Sequence, residues 1–195
     1  MFDPQFAYMK NPEYQITQGE KDFAVQHLSK TRDNFVNAIR GLSEAQWYFK
    51  PATDKWNAAQ CAQHVLETEL YYFMPTIEKM LAEEAAPEKK KEAFGKDEAS
   101  YKSMEDRTYK IKGQPWEEQE NKKVDKEGLI SAFVNKRNEI IEWLKNSDEE
   151  FRAHFTVFPG LETIDVYQFI LFISGHTTRH TGQIQDISQV PGFPN

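Results

Sequence analysis

Cysteine is almost absent from this chain: Cys61 is the only one among 195 residues. One cysteine excludes an intramolecular disulfide and suits a reducing compartment. Long apolar runs are also missing, and none approaches the ~20 residues of a membrane-spanning helix. Basic charge is in deficit. The 24 Lys and Arg stand against 31 Asp and Glu, for a net charge of -7. That balance argues against nucleic acid as a main partner, because phosphate contacts need a basic surface. There is no glycine-rich phosphate loop, no internal repeat and no run of β-branched alternation. The opening residues, MFDPQFAYMKNPEY, lack a basic stretch followed by an apolar one. No secretory signal is expected there, and a cytoplasmic location is the default.

What is present fits one globular domain over residues 1–195. Charged residues make up 28% and hydrophobic ones 39%, too apolar for general disorder. Helical periodicity then divides the chain. Residues 1–16 read as an extended lead-in. Thr17 and Glu20 have capping-box spacing and open a helix over 18–40, with Phe23, Leu28, Phe35 and Ile39 close to helical spacing. Gly41 is a suitable stop. Ser43 and Gln46 open one short turn that seats Trp47 and Phe49 before Pro51 ends it. Asn57 and Gln60 open a second long helix that fades near Pro87, and Pro75 should kink it.

Residues 88–119 are highly charged and read as a long solvated connection, with a short helix around 98–107. Such a length between bundle helices suggests a crossover. Asp125 can cap a third helix over 126–146, with Leu129, Ile130, Phe133, Ile140, Ile141 and Leu144 on its apolar face. The stretch SDEEFRAHFTVFPGLE reads as a loop with a short turn. Thr163 then caps a fourth helix over 163–187, whose middle, FILFI, is apolar on every side and therefore buried on more than one face. Four long helices and one long connection define the expected fold: an all-α four-helix bundle.

The fourth helix carries SGHTTRHTGQIQDI. His176 and His180 are four residues apart, which stacks both imidazoles on one helix face. Two neutral imidazoles so placed can bind one divalent ion. The same spacing also suits two histidines packed at a helix end. A third ligand from another helix would separate the two readings. His64, about two turns into the second helix, could face the fourth helix across the core and supply it. Of the other histidines, His27 reads as an ordinary helix residue, and His154 falls in the loop where it could line a pocket mouth. Cys61, three residues before His64, reads as a small buried apolar residue. Trp47, Phe49 and Trp56 are expected to pack the bundle end and wall a pocket.

At these residues the sequence resembles the DinB-like (YfiT-like) superfamily. The shared pattern is Trp56-Asn57 followed by His64 and Glu67, and a His-x-x-x-His-x-x-Gln run formed by His176, His180 and Gln183. The early GLSEAQWYFKP and the Phe158–Leu161 region before the last helix match as well, with Pro159 as a departure. The resemblance spans about residues 17–187. It implies a four-helix bundle, often dimeric, with a divalent metal held by His64, His176 and His180. Relatives of this kind include transferases acting with bacillithiol, mycothiol or glutathione, a mycothiol-dependent isomerase, and proteins described as metal-dependent hydrolases.

Three histidines leave an open position on zinc or nickel, the ions expected here. Water at that position is acidified toward a pKa of about 7, and a thiol is deprotonated outright. Gln183 could bond a bound water, and Glu67, at i+3 from His64, could orient an imidazole or act as a general base. Arg179 points away from the ligand face and suits a surface salt bridge. The expected function is transfer of a low-molecular-weight thiol to a small electrophile, in a homodimer. The alternatives are metal-dependent hydrolysis of a small amide or ester, and a non-enzymatic bundle that binds or serves a stress response.

Overall fold

Reciprocal caps set four of the helix starts among the described residues. The computed structural model describes residues 10–106 and 123–195; positions 1–9 of the lead-in, Arg107 and positions 108–119 of the charged connection lie outside it. Helix α1 (Gln18–Arg40) starts at Thr17, whose hydroxyl accepts from the Glu20 amide while Glu20 accepts from the Thr17 amide. Short helix α2 (Glu44–Trp47) uses Ser43 and Gln46 in the same way, and α3 (Ala58–Thr68) uses Asn57 and Gln60. A π-helical segment, Glu69–Phe73, continues into α4 (Met74–Ala82), which has Pro75 at its second position. The interruption expected at Pro75 therefore takes the form of a wide helical turn just upstream, where the missing proline N–H would otherwise break the ladder.

After α4 come short α5 (Lys90–Ala93) and α6 (Asp97–Glu105). Helix α7 (Lys126–Asn146) follows Asp125, whose side chain makes no capping bond to it. Strands β1 (Phe155–Phe158) and β2 (Glu162–Asp165) then form an antiparallel hairpin, with Phe155 opposite Asp165 and Phe158 opposite Glu162. The last helix is α8 (Val166–Ile187).

Two expectations are corrected in this region. The stretch before α8 is a hairpin rather than a loop, and its turn uses Gly160 at φ +87°. The fourth helix starts three residues later than expected, because Asp165 is the cap. Its carboxylate accepts from the Gln168 amide at 2.8 Å and Gln168 accepts from the Asp165 amide at 3.2 Å. The Thr163 hydroxyl instead donates to Glu92 at 2.6 Å.

The bundle packs α1 against α8 and α7, and α3 against α8 and α7, so α1 and α3 face each other along one diagonal. Chain directions follow from specific bonds. The Tyr167 hydroxyl donates to the Glu20 carbonyl at 2.9 Å, joining the first turns of α8 and α1, which therefore run parallel. Lys21 reaches the Ser147 carbonyl and Lys126 reaches the Leu42 carbonyl, so α7 runs antiparallel to α1. The α3–α4 arm also runs against α8, since His64 meets His176 while Phe73 meets Phe169. Two consecutive long helices, α3–α4 and α7, thus point the same way. That is the physical reason for the long crossover between them.

The core follows the apolar faces. Phe169, Ile170, Leu171, Phe172 and Ile173 are all buried, because α8 is covered by α1, α3 and α6. Burial of each such side chain is worth about 1.5–3 kcal/mol. Leu28, Phe35 and Ile39 of α1 are buried, but Phe23 is 36% exposed and lies on His27 and Tyr101. Helix α6 lies so close on α8 that a Cβ built at Gly175 would sit 2.3 Å from the Tyr101 carbonyl oxygen.

Arg152 joins the N-terminal end of the bundle. It bonds Glu20 of α1, Asp97 of α6 and Asp165 at the α8 cap, and its guanidinium lies 4.3 Å from the Tyr167 ring centre. Burial works against its charge, but the bonds to Asp97 and Asp165 outweigh it and hold its pKa above the ordinary value.

Candidate metal centre

Helices α3 and α8 bring three imidazoles together. His64 comes from α3, and His176 and His180 lie one turn apart on α8. One ring nitrogen from each lies within 4.8 Å of those of the other two. His64 Nε2 is 3.0 Å from His176 Nε2. The ring centres are 4.5 to 4.9 Å apart. All three residues are buried, and at 7% His180 is the most exposed. Among the described residues no carboxylate or thiol belongs to the cluster.

The surroundings favour the neutral ring at His64 and His176. Burial alone pushes His64 down to about 4. Burial also pushes His176 well below its ordinary range, helped by the neighbouring His180 and His64. Neutral imidazoles are the form that ligates metal. The Gln183 amide oxygen sits 3.1 Å from His180 Nδ1, which puts the ring proton on Nδ1 and makes Nε2 the lone-pair nitrogen. Thr68 Oγ1 faces His64 Nδ1 at 3.5 Å. Among the described residues the buried His176 Nδ1 has no hydrogen-bond partner.

A metal fits this donor set. His64 Nε2 and His176 Nε2, 3.0 Å apart, would together hold one divalent ion, with His180 supplying the third nitrogen. Three buried imidazole nitrogens packed together are the donor set of a divalent-ion site.

Aromatic rings wall the cluster. Trp56 lies 5.0 Å from the His64 ring centre and 6.2 Å from that of His180, nearly parallel to the latter. Phe73 meets His176 edge-on at 5.3 Å. Of the bundle-end aromatics, Trp56 alone lies against these rings. Trp47 is buried in the adjoining apolar core, and Phe49 packs on Phe193. Glu67 is half-buried one turn after His64 and accepts from the Gln63 amide at 2.7 Å. It stands outside the three-histidine cluster.

The remaining candidates fall elsewhere. Cys61 is wholly buried in the apolar core and is not part of the cluster. His154 precedes β1, and its carbonyl accepts from Val166 at the start of α8. That is ten residues from His176, or about 15 Å along the helix, so it does not line the centre. Arg179 donates to the Asp106 carbonyl at the end of α6. A recess of about 480 Å³ between α1 and α8, lined by Thr31, Asn34, Thr178 and Gln185 among others, includes none of the three histidines.

Sequence reasoning missed Thr68, Phe73 and a buried ion pair, Glu69 with Arg137. One signal for the pair was visible. Arg137 falls four residues after Phe133 and three before Ile140, on the apolar face of α7.

Fold and cluster together define a class: four-helix bundles in which two core helices converge three histidines. A family model described as the DinB superfamily matches residues 27–184. The chain belongs to the DinB superfamily. Among solved structures it is similar to YfiT from Bacillus subtilis, reported as a probable metal-dependent hydrolase with an unusual four-helix bundle topology. The likeness covers 97% of each chain with a TM-score of 0.64 at 16% identity. At that identity the likeness shows the fold. No curated protein matches the chain in sequence.

Proposed function

We propose that this protein is a divalent-metal-dependent enzyme, with His64, His176 and His180 as ligands to zinc or nickel. Its reaction is transfer of a low-molecular-weight thiol to a small electrophile. The observation that carries the reading is the buried convergence of three imidazoles. A divalent ion bound there supplies Lewis acidity, which brings a thiol or a water to its deprotonated form near neutral pH. The chain's own groups do the rest. Gln183 fixes the His180 tautomer, and Trp56 and Phe73 exclude water from the ring edges.

Thiol transfer is preferred over hydrolysis for a chemical reason. A free thiol starts at a pKa of about 8.5 and water at about 15.7, so the same ion has far less to do to hold a thiolate than a hydroxide near neutral pH. Hydrolysis of a small amide or ester is the second reading. It is favoured by the likeness to YfiT, and in it Glu67 is the candidate base. Among the described residues no helix is long and apolar enough to cross a membrane. A homodimer in a reducing, cytoplasmic setting belongs to the same proposal, and sedimentation of the purified protein checks the dimer.

The test is a two-substrate comparison on metal-loaded protein. Glutathione, bacillithiol or mycothiol is supplied with a chloro-nitrobenzene or an epoxide, and nitrophenyl esters and anilides are supplied without thiol. Thiol consumption that depends on metal and is lost in His176→Ala is the expected result. Turnover of the esters or anilides without thiol selects hydrolysis. Inactivity on both panels by protein with a full complement of metal would contradict both.

A further inference from the structure

Arg137 of α7 is wholly buried, and all five of its N–H donors are used. Nε donates to Glu69 Oε2 at 3.2 Å, and Nη2 donates to Glu69 Oε1 and to Thr177 Oγ1, the latter at 2.8 Å. Nη1 donates to the Leu28 carbonyl and to Thr31 Oγ1, both at 3.0 Å. The guanidinium also lies 5.1 Å from the Phe133 ring centre. One side chain thus ties together α1, the π-helical segment after α3, α7 and α8.

The anchor points adjoin the three-histidine cluster. Thr177 follows His176 directly. Glu69 follows Thr68, whose hydroxyl faces His64 Nδ1. At helical spacing Glu69 is turned about 140° from His64, and Thr177 about 100° from His176. The histidines therefore meet along the α3–α8 seam while their neighbours reach Arg137 in the bundle interior. A buried ion pair is a poor way to gain stability, since apolar residues of similar size often serve as well or better. A rigid planar fork is a good way to fix distances between helices.

We propose that Arg137 is a positioning residue for the metal centre. By fastening Glu69 and Thr177 to one guanidinium it sets the spacing of α3 and α8, and with it the approach of His64 to His176. This rests on the reading of the three histidines as metal ligands.

Cobalt(II) titration of the metal-free full chain tests it, because the visible bands of cobalt report ligand geometry and a competing chelator reports affinity. Wild type is compared with the paired substitution Glu69→Leu/Arg137→Met, which leaves no lone buried charge, and with Thr177→Val, which removes only the α8 arm. Circular dichroism of the metal-free forms checks folding. The paired variant is expected to lose about 10–100-fold in affinity and to show shifted bands, and Thr177→Val a smaller loss in the same direction. A merely structural pair would change the metal-free melting temperature and leave affinity and bands alone. A folded paired variant that binds cobalt as wild type does, with the same bands, overturns the proposal and leaves the metal reading intact. If the paired variant does not fold, unchanged affinity and bands in Thr177→Val overturn it. If wild type takes up no cobalt, the metal reading falls and the proposal with it.

Discussion

His64 Nε2 lies 3.0 Å from His176 Nε2, although 112 residues separate them in the chain. Helix α3 carries one and α8 the other, and the two helices run in opposite directions. Two neutral rings in an apolar seam can share one proton or one cation. The third imidazole, His180, makes the cation the fuller use of the donors.

The neutral rings predict a direction of pH dependence. His64 in the folded protein titrates at about 4, below its ordinary 6.5, because burial penalises the charged ring. The unfolded chain therefore binds more protons as pH falls below about 6.5. The stability held in the neutral ring is complete above that pH and is lost progressively down to about 4. The shift corresponds to about 3 kcal/mol at full loss. Melting of the metal-free protein from pH 7.5 to 4.5, wild type against His64→Leu, isolates this contribution. A steeper acid decline in wild type is expected. Parallel curves would show that His64 is not held neutral.

Arg152 carries a separate prediction about stability. Its side chain is 12% exposed, and Asp165 beside it is 4% exposed. Arg152→Ala would leave Asp165, Asp97 and Glu20 without their shared cation. The expected loss is about 3–5 kcal/mol in chemical unfolding. Arg152→Lys should restore only part of it, because an ammonium cannot fork to several carboxylates at once. A loss below about 1 kcal/mol would mean that the cluster is solvated and weak.

Gly175 predicts the consequence of crowding the α6–α8 contact. A Cβ there meets the Tyr101 carbonyl oxygen at 2.3 Å and Met104 Cβ at 2.9 Å. The obstacle at Tyr101 is backbone, so α6 must shift as a unit. Gly175→Ala should cost about 1–3 kcal/mol and raise hydrogen exchange selectively in α6. Unchanged exchange over Asp97–Glu105 would contradict the close approach.

Much of this was legible in the sequence where the signals are local. The limits of α1 and α7 follow from cap residues and apolar spacing, and the structure reproduces 18–40 and 126–146. The His176 and His180 spacing is equally local, whereas the approach of His64 rested on its place two turns into the second helix, and the resemblance implied the ligand set. The hairpin was hidden because FTVF and ETID are four residues each, too short for alternation to show. The α8 cap was misplaced because Thr163 and Asp165 are both competent caps, and only the partner at Gln168 separates them. The Glu69–Arg137 pair was hidden differently. Its arginine stood out on an apolar face, but its partner lies 68 residues away, and no local pattern names it.

The central claim is that the three histidines hold a metal. Mass spectrometry of metal content, on protein purified without chelator or nickel resin, tests it most directly, with wild type beside His176→Ala. About one zinc or nickel per chain in wild type, lost in the variant, is the predicted result. Wild-type protein that carries no metal and takes up none on titration would contradict it.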